Sequence, residues 1–281
     1  MAMSRMLALL SLALSLAWAS PLVVGDAALD SDGGIFPGWN GEQSASGGTA
    51  GGARGRTPRE YVRMLSWQPR VVEHHGFLTA SECDEIVSAA RLAAGAPGAL
   101  DGAEGVELPL LALGGAARAA VQRADEQAAR LSMSPEANGA AWRVRRLTRN
   151  SDDSEAHLDT VEGLEPGKWL PRGGQVTAVL LAYLSDAPAG GGETVLPDAK
   201  LKQAPWRRDK GVRWSKCASN SKQMALPPTK GDAHLLWALD NALRPDPLAK
   251  RKTCAPMGDG EVWVATKVLY TNPLDVAPDA A

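Results

Sequence analysis

The chain after residue 60 shows helical periodicity first and strand alternation afterwards. In TASECDEIVSAARLAA, residues 79–94, apolar side chains recur at the i, i+3, i+4, i+7 spacing of one helix face: Cys83, Ile86, Val87 and Ala90. Thr79 and Glu82 stand three residues apart and predict a capping box at its start. A second helix is predicted in GAARAAVQRADEQAARLSM, residues 115–133, with one alanine face: Ala116, Ala120, Ala124 and Ala128.

From Trp142 onward the apolar residues follow strand patterns, separated by turns rich in Gly, Pro and Asp. The predicted strands are AWRVRRLT, QVTAVLLAYLSD, DAHLLWAL and EVWVATKVLY. LSWQPRVVEHHGFLT, residues 65–79, is also predicted as one strand leading into the first helix. Helices followed by strands favour an α+β domain with N-terminal helices, whose strands curl into a double sheet.

The first 57 residues do not resemble a folded domain. Residues 1–19 combine an early Arg, an apolar run and small residues near a cleavage position, which predicts a signal peptide. An uncleaved anchor helix is the alternative. Residues 20–57 are rich in Gly, Ser and Ala and predict a flexible linker. We therefore expect a secretory-pathway protein, in the endoplasmic reticulum lumen or secreted, with its domain at 58–275 and a tail at 276–281.

The formal net charge of −2 gives no general attraction to nucleic acid, and at most a peripheral association with membranes is expected. One local exception is KLKQAPWRRDKGVRWSK, residues 200–216, which has seven basic side chains with two tryptophans, Trp206 and Trp214, among them. A solvated charged loop explains this segment. A groove wall that attracts an acidic or glycosylated peptide is the functional alternative.

Candidate chemistry begins with SEAHLDTV, residues 154–161. His157 and Asp159 are two positions apart, so on a strand both side chains point to the same face. An imidazole and a carboxylate aimed together form two thirds of a facial iron site. A surface His and Asp on an ordinary strand is the alternative. The chain has four histidines, so few candidates exist for a third ligand.

Three longer segments accompany AHLD in a fixed order: LSWQPRVVEHHGFLTASECDEIV before it, then GGQVTAVLLAYLSDAPAGGGETVLP and KGDAHLLWALD. Together they resemble the catalytic domain of prolyl 4-hydroxylases, in particular the short secretory-pathway forms of plants and algae. The resemblance covers roughly residues 65–271. It implies a double-stranded β-helix core and an oxidoreductase that uses Fe(II), 2-oxoglutarate and L-ascorbate.

The resemblance also implies a metal site, which this sequence matches only in part. His157 and Asp159 occupy the family's His-x-Asp positions. The distal His position, three residues before a cysteine, holds Arg251. A guanidinium is protonated at neutral pH and cannot ligate iron, so we expect it either to oppose the metal or to pair with Asp159. His234, on a core strand, is a substitute ligand candidate, although a buried histidine with an internal partner is the simpler interpretation.

The cosubstrate pocket departs from the family pattern as well. The lysine that binds the far carboxylate of 2-oxoglutarate is replaced by Val262, and Thr266 is a further candidate for the lining of that pocket. Lys267 is expected on the opposite face of the strand from Val262. The two tyrosine positions hold Ser154 and, approximately, Thr148.

These replacements predict an impaired or silent dioxygenase domain that acts as a peptide- or partner-binding module. The alternative is an active dioxygenase that hydroxylates proline in secreted proteins; an unusual metal site with two protein ligands is a third hypothesis. The partner implied by the resemblance is a proline-rich or glycosylated secreted peptide or a partner subunit. The resemblance also implies a disulfide between Cys217 and Cys254, with Cys83 left as a buried thiol, against the alternative of three free thiols.

Overall fold

The computed structural model describes residues 60–96, 98–101, 105–151, 153–160, 173–200, 212–220 and 222–274. All of them belong to Glu42–Ala281, the larger of two compact units in the chain. The signal peptide, linker and tail predictions fall outside the described residues, as does most of the basic segment at 200–216. No helix within the described ranges is long and apolar enough to cross a membrane.

The described chain contains two helices and ten strands. The helices are α1 at Ala80–Ala94 and α2 at Gly115–Ser132, with short 3-10 turns at Leu110–Ala112, Glu136–Asn138 and Pro247–Ala249. The first five strands are β1 Tyr61–Trp67, β2 Arg70–His75, β3 Val106–Leu108, β4 Trp142–Leu147 and β5 Val176–Tyr183. The other five are β6 Thr194–Leu196, β7 Met224–Leu226, β8 Ala233–Trp237, β9 Lys252–Thr253 and β10 Val262–Tyr270.

The strands form two sheets with a shared apolar core between them. The larger sheet has the order β1-β2-β8-β5-β10-β4-β3, and the smaller has the order β7-β6-β9. A backbone bridge between His157 and Arg251 adds the chain around His157 to the β9 edge of the smaller sheet. Buried apolar side chains from both sheets meet between them, among them Val179, Leu181, Leu196, Met224, Leu226, Leu236 and Val262. Two facing sheets with these connections are the predicted double-stranded β-helix.

The helices cover the outer face of the larger sheet. The capping box at the start of α1 is present: the Thr79 hydroxyl accepts from the Glu82 backbone N–H, and the Glu82 carboxylate accepts from the Thr79 backbone N–H. α1 buries Cys83, Ile86 and Ala90, and α2 buries Ala120, Ala124 and Ala128, whereas Ala116 at the start of α2 is exposed. The helix periodicity therefore predicted the core-facing sides correctly except at Ala116, which is exposed, and Val87, which is half-buried.

The single strand predicted at residues 65–79 is wrong. The structure has a hairpin instead, in which β1 pairs with β2 across a turn at Gln68 and Pro69. Proline has no backbone N–H to donate to a strand ladder, so a turn at this point is favoured. Strands β3, β6, β7 and β9 were not predicted, because two or three residues are too short to show an alternation.

Candidate functional site

The candidate site lies where the segment containing His157 runs beside β9. The His157 N–H donates to the Arg251 carbonyl at 3.0 Å, and the Arg251 N–H donates to the His157 carbonyl at 2.9 Å. Further along the same two segments, the Ser154 N–H donates to the Thr253 carbonyl at 2.9 Å. This antiparallel register places residue 251 directly opposite residue 157. Arg251 is thus held beside the His-x-Asp pair by backbone contacts that do not depend on its side chain.

The Arg251 guanidinium forms a two-point ion pair with Asp159. Arg251 Nε donates to Asp159 Oδ2 at 2.7 Å, and Arg251 Nη2 donates to Oδ1 at 2.6 Å. The side chains are only 12% and 16% exposed. Burial disfavours the charge of Arg251, but the field and hydrogen bonds of Asp159 outweigh it and raise the arginine pKa above its ordinary value. Both oxygens that could bind a metal are therefore engaged by a permanent cation.

His157 takes little part in this ion pair. Its side chain is 47% exposed, and its Nε2 lies 3.9 Å from Asp159 Oδ1. Its Nδ1 is 3.1 Å from the backbone carbonyl of Glu155. The imidazole therefore faces solvent beside the ion pair.

The residues present do not fit a ferrous ion. A facial site needs a third ligand near His157 and Asp159, and a carboxylate oxygen free to coordinate. Across the described ranges, the one group of three His, Cys, Asp or Glu side chains close enough to share an ion is Asp153, Cys217 and Cys254, which includes neither residue. Arg251, directly opposite His157, adds a protonated guanidinium that repels a cation.

Val262, predicted to stand at the family's cosubstrate lysine, likewise offers no charged group. Val262 is fully buried in the core between the sheets and packs against Gly192. Lys267 points to the opposite face of β10, as expected, where its Nζ donates to the Ala140 carbonyl and pairs with Asp125, each at 2.7 Å. Neither side chain offers a cation on the inner face of β10, so a carboxylate bound there would have no ionic partner from this strand.

Thr266 is half-buried and lies in β10 between Leu181 of β5 and Arg143 of β4. Strand alternation places it on the same face as Val262, inside the barrel. Ser154, at a family tyrosine position, uses its hydroxyl to accept from the Thr253 N–H at 2.7 Å. The Thr148 N–H donates to the Ser151 hydroxyl at 3.0 Å, so that position closes a turn. Of the pocket positions predicted from sequence, Val262 and Thr266 share the inner face of β10.

His234 lies on the inner face of β8 and pairs with a residue that sequence reasoning missed. Its Nε2 is 3.6 Å from the Glu73 carboxylate on the neighbouring strand β2, and Arg63 of β1 contacts the same carboxylate at 2.7 Å. Burial raises the Glu73 pKa, but the hydrogen bonds and charges of His234 and Arg63 outweigh burial and lower it overall. A charged residue inside the strand RVVEHH was the one sequence signal for this partner.

These contacts continue across the larger sheet as one transverse row. Strand pairing aligns Arg63, Glu73, His234, Leu181, Thr266, Arg143 and Glu107 on seven consecutive strands. His234 also packs edge-to-face against Tyr183, with ring centroids 5.5 Å apart, and burial raises the pKa of Tyr183 to about 12. His234 therefore lies on the inner face of the larger sheet, where it contacts Glu73 and Tyr183.

The two histidines of VEHHGF have carboxylate partners of their own. His74 is buried, lies 2.9 Å from Glu60, and packs edge-on against Phe77 on the helix side of the sheet. His75 Nδ1 lies 2.9 Å from Asp232. Neither belongs to the site around His157.

Cys217 and Cys254 form a disulfide with Cα atoms 5.8 Å apart. The bond ties residues 212–220 to the end of β9, three positions after Arg251. Trp214 and Cys217 pack against a small core that includes Val195, Ala218, Ala225 and Cys254. Cys83 is a buried free thiol in α1.

Comparison with known proteins agrees with this architecture. No family model matches the chain. Prolyl 4-hydroxylase 2 of Arabidopsis thaliana is 30% identical over 221 residues, which cover 76% of this chain and 71% of the relative. Probable prolyl 4-hydroxylase 6 of the same plant is 30% identical over 222 residues, covering 75% and 72%.

A crystal structure of the viral collagen prolyl hydroxylase from Paramecium Bursaria Chlorella virus-1 superimposes with a TM-score of 0.50 at 19% identity. It covers 80% of this chain and 97% of that one. At this identity the likeness supports the fold alone. The identity to the plant proteins, across about three quarters of the chain, carries the assignment: the chain belongs to the prolyl 4-hydroxylase family.

Proposed function

We propose that this protein is a prolyl-4-hydroxylase-fold binding module whose dioxygenase site is silent. The observation that carries the proposal is the two-point ion pair between Arg251 and Asp159. The guanidinium takes the carboxylate that the family uses for iron, and its position opposite His157 is fixed by the backbone.

Electrostatics supports this exclusion. At an effective dielectric of about 20, two unit charges about 4 Å apart interact by about 4 kcal/mol, and a divalent ion doubles that value. Iron entering beside Arg251 would meet this repulsion and would also have to displace the guanidinium from Asp159. Val262 adds a second obstacle, because 2-oxoglutarate would lose the ionic partner of its far carboxylate.

A binding role follows from what the fold retains. Both sheets are formed and the disulfide joins residues 212–220 to β9, which supports a binding role that does not need the iron chemistry. The proposed ligand is a proline-rich or glycosylated peptide, or a partner subunit, met in the secretory pathway. Family membership alone favours the rival function, proline hydroxylation with Fe(II), 2-oxoglutarate and ascorbate.

The deciding experiment measures succinate. The purified protein is incubated with Fe(II), ascorbate and 2-oxoglutarate, with and without a proline-rich peptide. The proposal predicts no peptide-dependent succinate, together with measurable binding of the peptide or of a partner. Peptide-dependent succinate that disappears in His157→Ala would establish the rival function and would mean that another group completes the metal site.

A restoration experiment separates a silent site from a damaged fold. Arg251→His returns the missing imidazole, and Val262→Lys returns the missing cation. We expect the double variant to gain turnover that the wild-type protein lacks. Glu155→Gln, an exposed change in the same segment, serves as the matched control and should gain none.

A further inference from the structure

Two cysteine sulfurs and a carboxylate converge beside β9, outside the site described above. Asp153, Cys217 and Cys254 each offer one ligand atom, and these atoms lie within 4.8 Å of one another. In the oxidised protein both sulfurs are consumed by the disulfide, so they cannot bind a metal. We propose that reduction of this disulfide creates a Zn²⁺ site formed by the two thiolates and the Asp153 carboxylate.

The chemistry of the donor set suits zinc. Zinc prefers four tetrahedral ligands drawn from thiolate, imidazole and carboxylate, at about 2.0–2.3 Å. Two thiolates and one carboxylate supply three of them. Asp153 is exposed, so water can provide the fourth. The Ala255 N–H donates to Asp153 Oδ1 at 2.8 Å, which orients the carboxylate and leaves Oδ2 available for the metal.

Contacts other than the disulfide hold both cysteines in place. The Cys254 N–H donates to the Glu193 carbonyl at 2.9 Å. The buried Glu193 carboxylate accepts from the Ser215 N–H and hydroxyl, each at 2.8 Å, and this fixes the turn that carries Cys217. Lys252 Nζ donates to the Cys217 carbonyl at 3.4 Å. These contacts do not require an S–S bond, so the ligands are expected to stay together after reduction.

The reaction balances with a dithiol as reductant. The dithiol gives two electrons and two protons, the S–S bond breaks, and two thiols form while the reductant becomes a disulfide. Zinc binding then displaces the two thiol protons into solvent. Cys83 does not compete, because it lies in α1 where burial raises the pKa of its thiol to about 12.

The test compares zinc binding by the oxidised and the reduced protein. The full chain is reduced with dithiothreitol, freed of reductant under nitrogen, and titrated with Zn²⁺ against a chelating indicator. We expect one zinc per chain in the reduced protein and none in the oxidised protein. Zinc should also raise the thermal midpoint of the reduced protein alone, and Co²⁺ should give a thiolate charge-transfer band.

Variants assign the ligands. Cys217→Ser and Cys254→Ser should each abolish stoichiometric binding. Asp153→Asn, which keeps the disulfide and so can be checked for folding when oxidised, should weaken zinc binding by about tenfold or more. Glu155→Gln, a nearby exposed carboxylate, should bind zinc like the wild type. The proposal is overturned if reduced protein takes up no zinc, whether folded or not, or if Asp153→Asn leaves the affinity unchanged.

Discussion

Arg251 and Asp159 form a mostly buried charge pair where the segment around His157 runs beside β9. Two hydrogen bonds of 2.6 and 2.7 Å join them, and the backbone of Arg251 is bonded in both directions to His157. The pair joins the segment around His157 to the β9 edge of the smaller sheet. It therefore has a structural role that can be measured separately from catalysis.

Removal of one partner should destabilise the protein. Arg251→Ala leaves the mostly buried Asp159 carboxylate without its cation, and we expect a loss of about 3 kcal/mol in the free energy of unfolding. Urea denaturation measures this loss. The matched control is Arg244→Ala, which breaks the pair between Asp240 and an exposed arginine and should lower the free energy of unfolding much less. Equal losses in the two variants would contradict a structural role for the Arg251 pair.

The Glu73–His234 pair should behave as a unit. His234→Leu alone removes one partner of Glu73 inside the sheet, and Glu73→Met alone leaves a buried imidazole without its carboxylate. Each should cost roughly 1–3 kcal/mol. The double variant replaces both with apolar side chains and should be near neutral, because Arg63 is partly exposed and can turn to water. Additive losses in a double-mutant cycle would show that the two residues are not coupled.

Glu73 should also contribute to acid sensitivity. Its pKa in the folded protein is lower than the ordinary value of 4.5, so the folded state favours its ionised form. The resulting stability is present above the unfolded-state pKa and is lost as the pH falls through the folded-state pKa. Unfolding free energies measured over a descending pH series should fall less steeply in Glu73→Gln than in the wild type. Parallel curves for the two proteins would show that Glu73 carries no such linkage.

Reduction of the Cys217–Cys254 disulfide should lower stability in the absence of zinc. The chain-entropy model gives about 3–4 kcal/mol for a loop of this length, whose ends are 37 positions apart. Peptide mapping after alkylation should find these two cysteines linked, while Cys83 resists alkylation until the protein unfolds. A mapped bridge that includes Cys83 would be inconsistent with the structure.

Most of the long elements could be predicted, because a helix or a long strand shows its hydrophobic spacing within its own stretch of sequence. Helix α1 was located from its capping box and apolar spacing, and the long strands β5, β8 and β10 from their apolar runs. The hairpin at Gln68 and Pro69 was missed, since the alternation continues on both sides of the turn. Short strands such as β6 owe their conformation to partners distant in the sequence, and their own three residues do not show it.

The family resemblance led to His157, Asp159, Arg251 and Val262 as site positions, and these roles stay predictions. It also raised the ion pair between Arg251 and Asp159 as one of two arrangements, and the structure has that pair. The contact that the Arg251 side chain makes depends on the β-bridge to His157, and the sequence does not reveal that bridge. Sequence also showed that His234 needed a polar partner, but that partner is Glu73, on a strand far away along the chain. Such pairings become visible only when strand register is known.

Ferrous ion binding under anaerobic conditions tests the central claim most directly. Calorimetric titration of the wild-type protein, His157→Ala and Arg251→His compares the same fold with three different sets of ligands. If Arg251 excludes the metal, the wild-type protein will bind Fe(II) no better than His157→Ala, and Arg251→His will bind one ion per chain. Stoichiometric binding by the wild-type protein that is lost in His157→Ala would contradict the account.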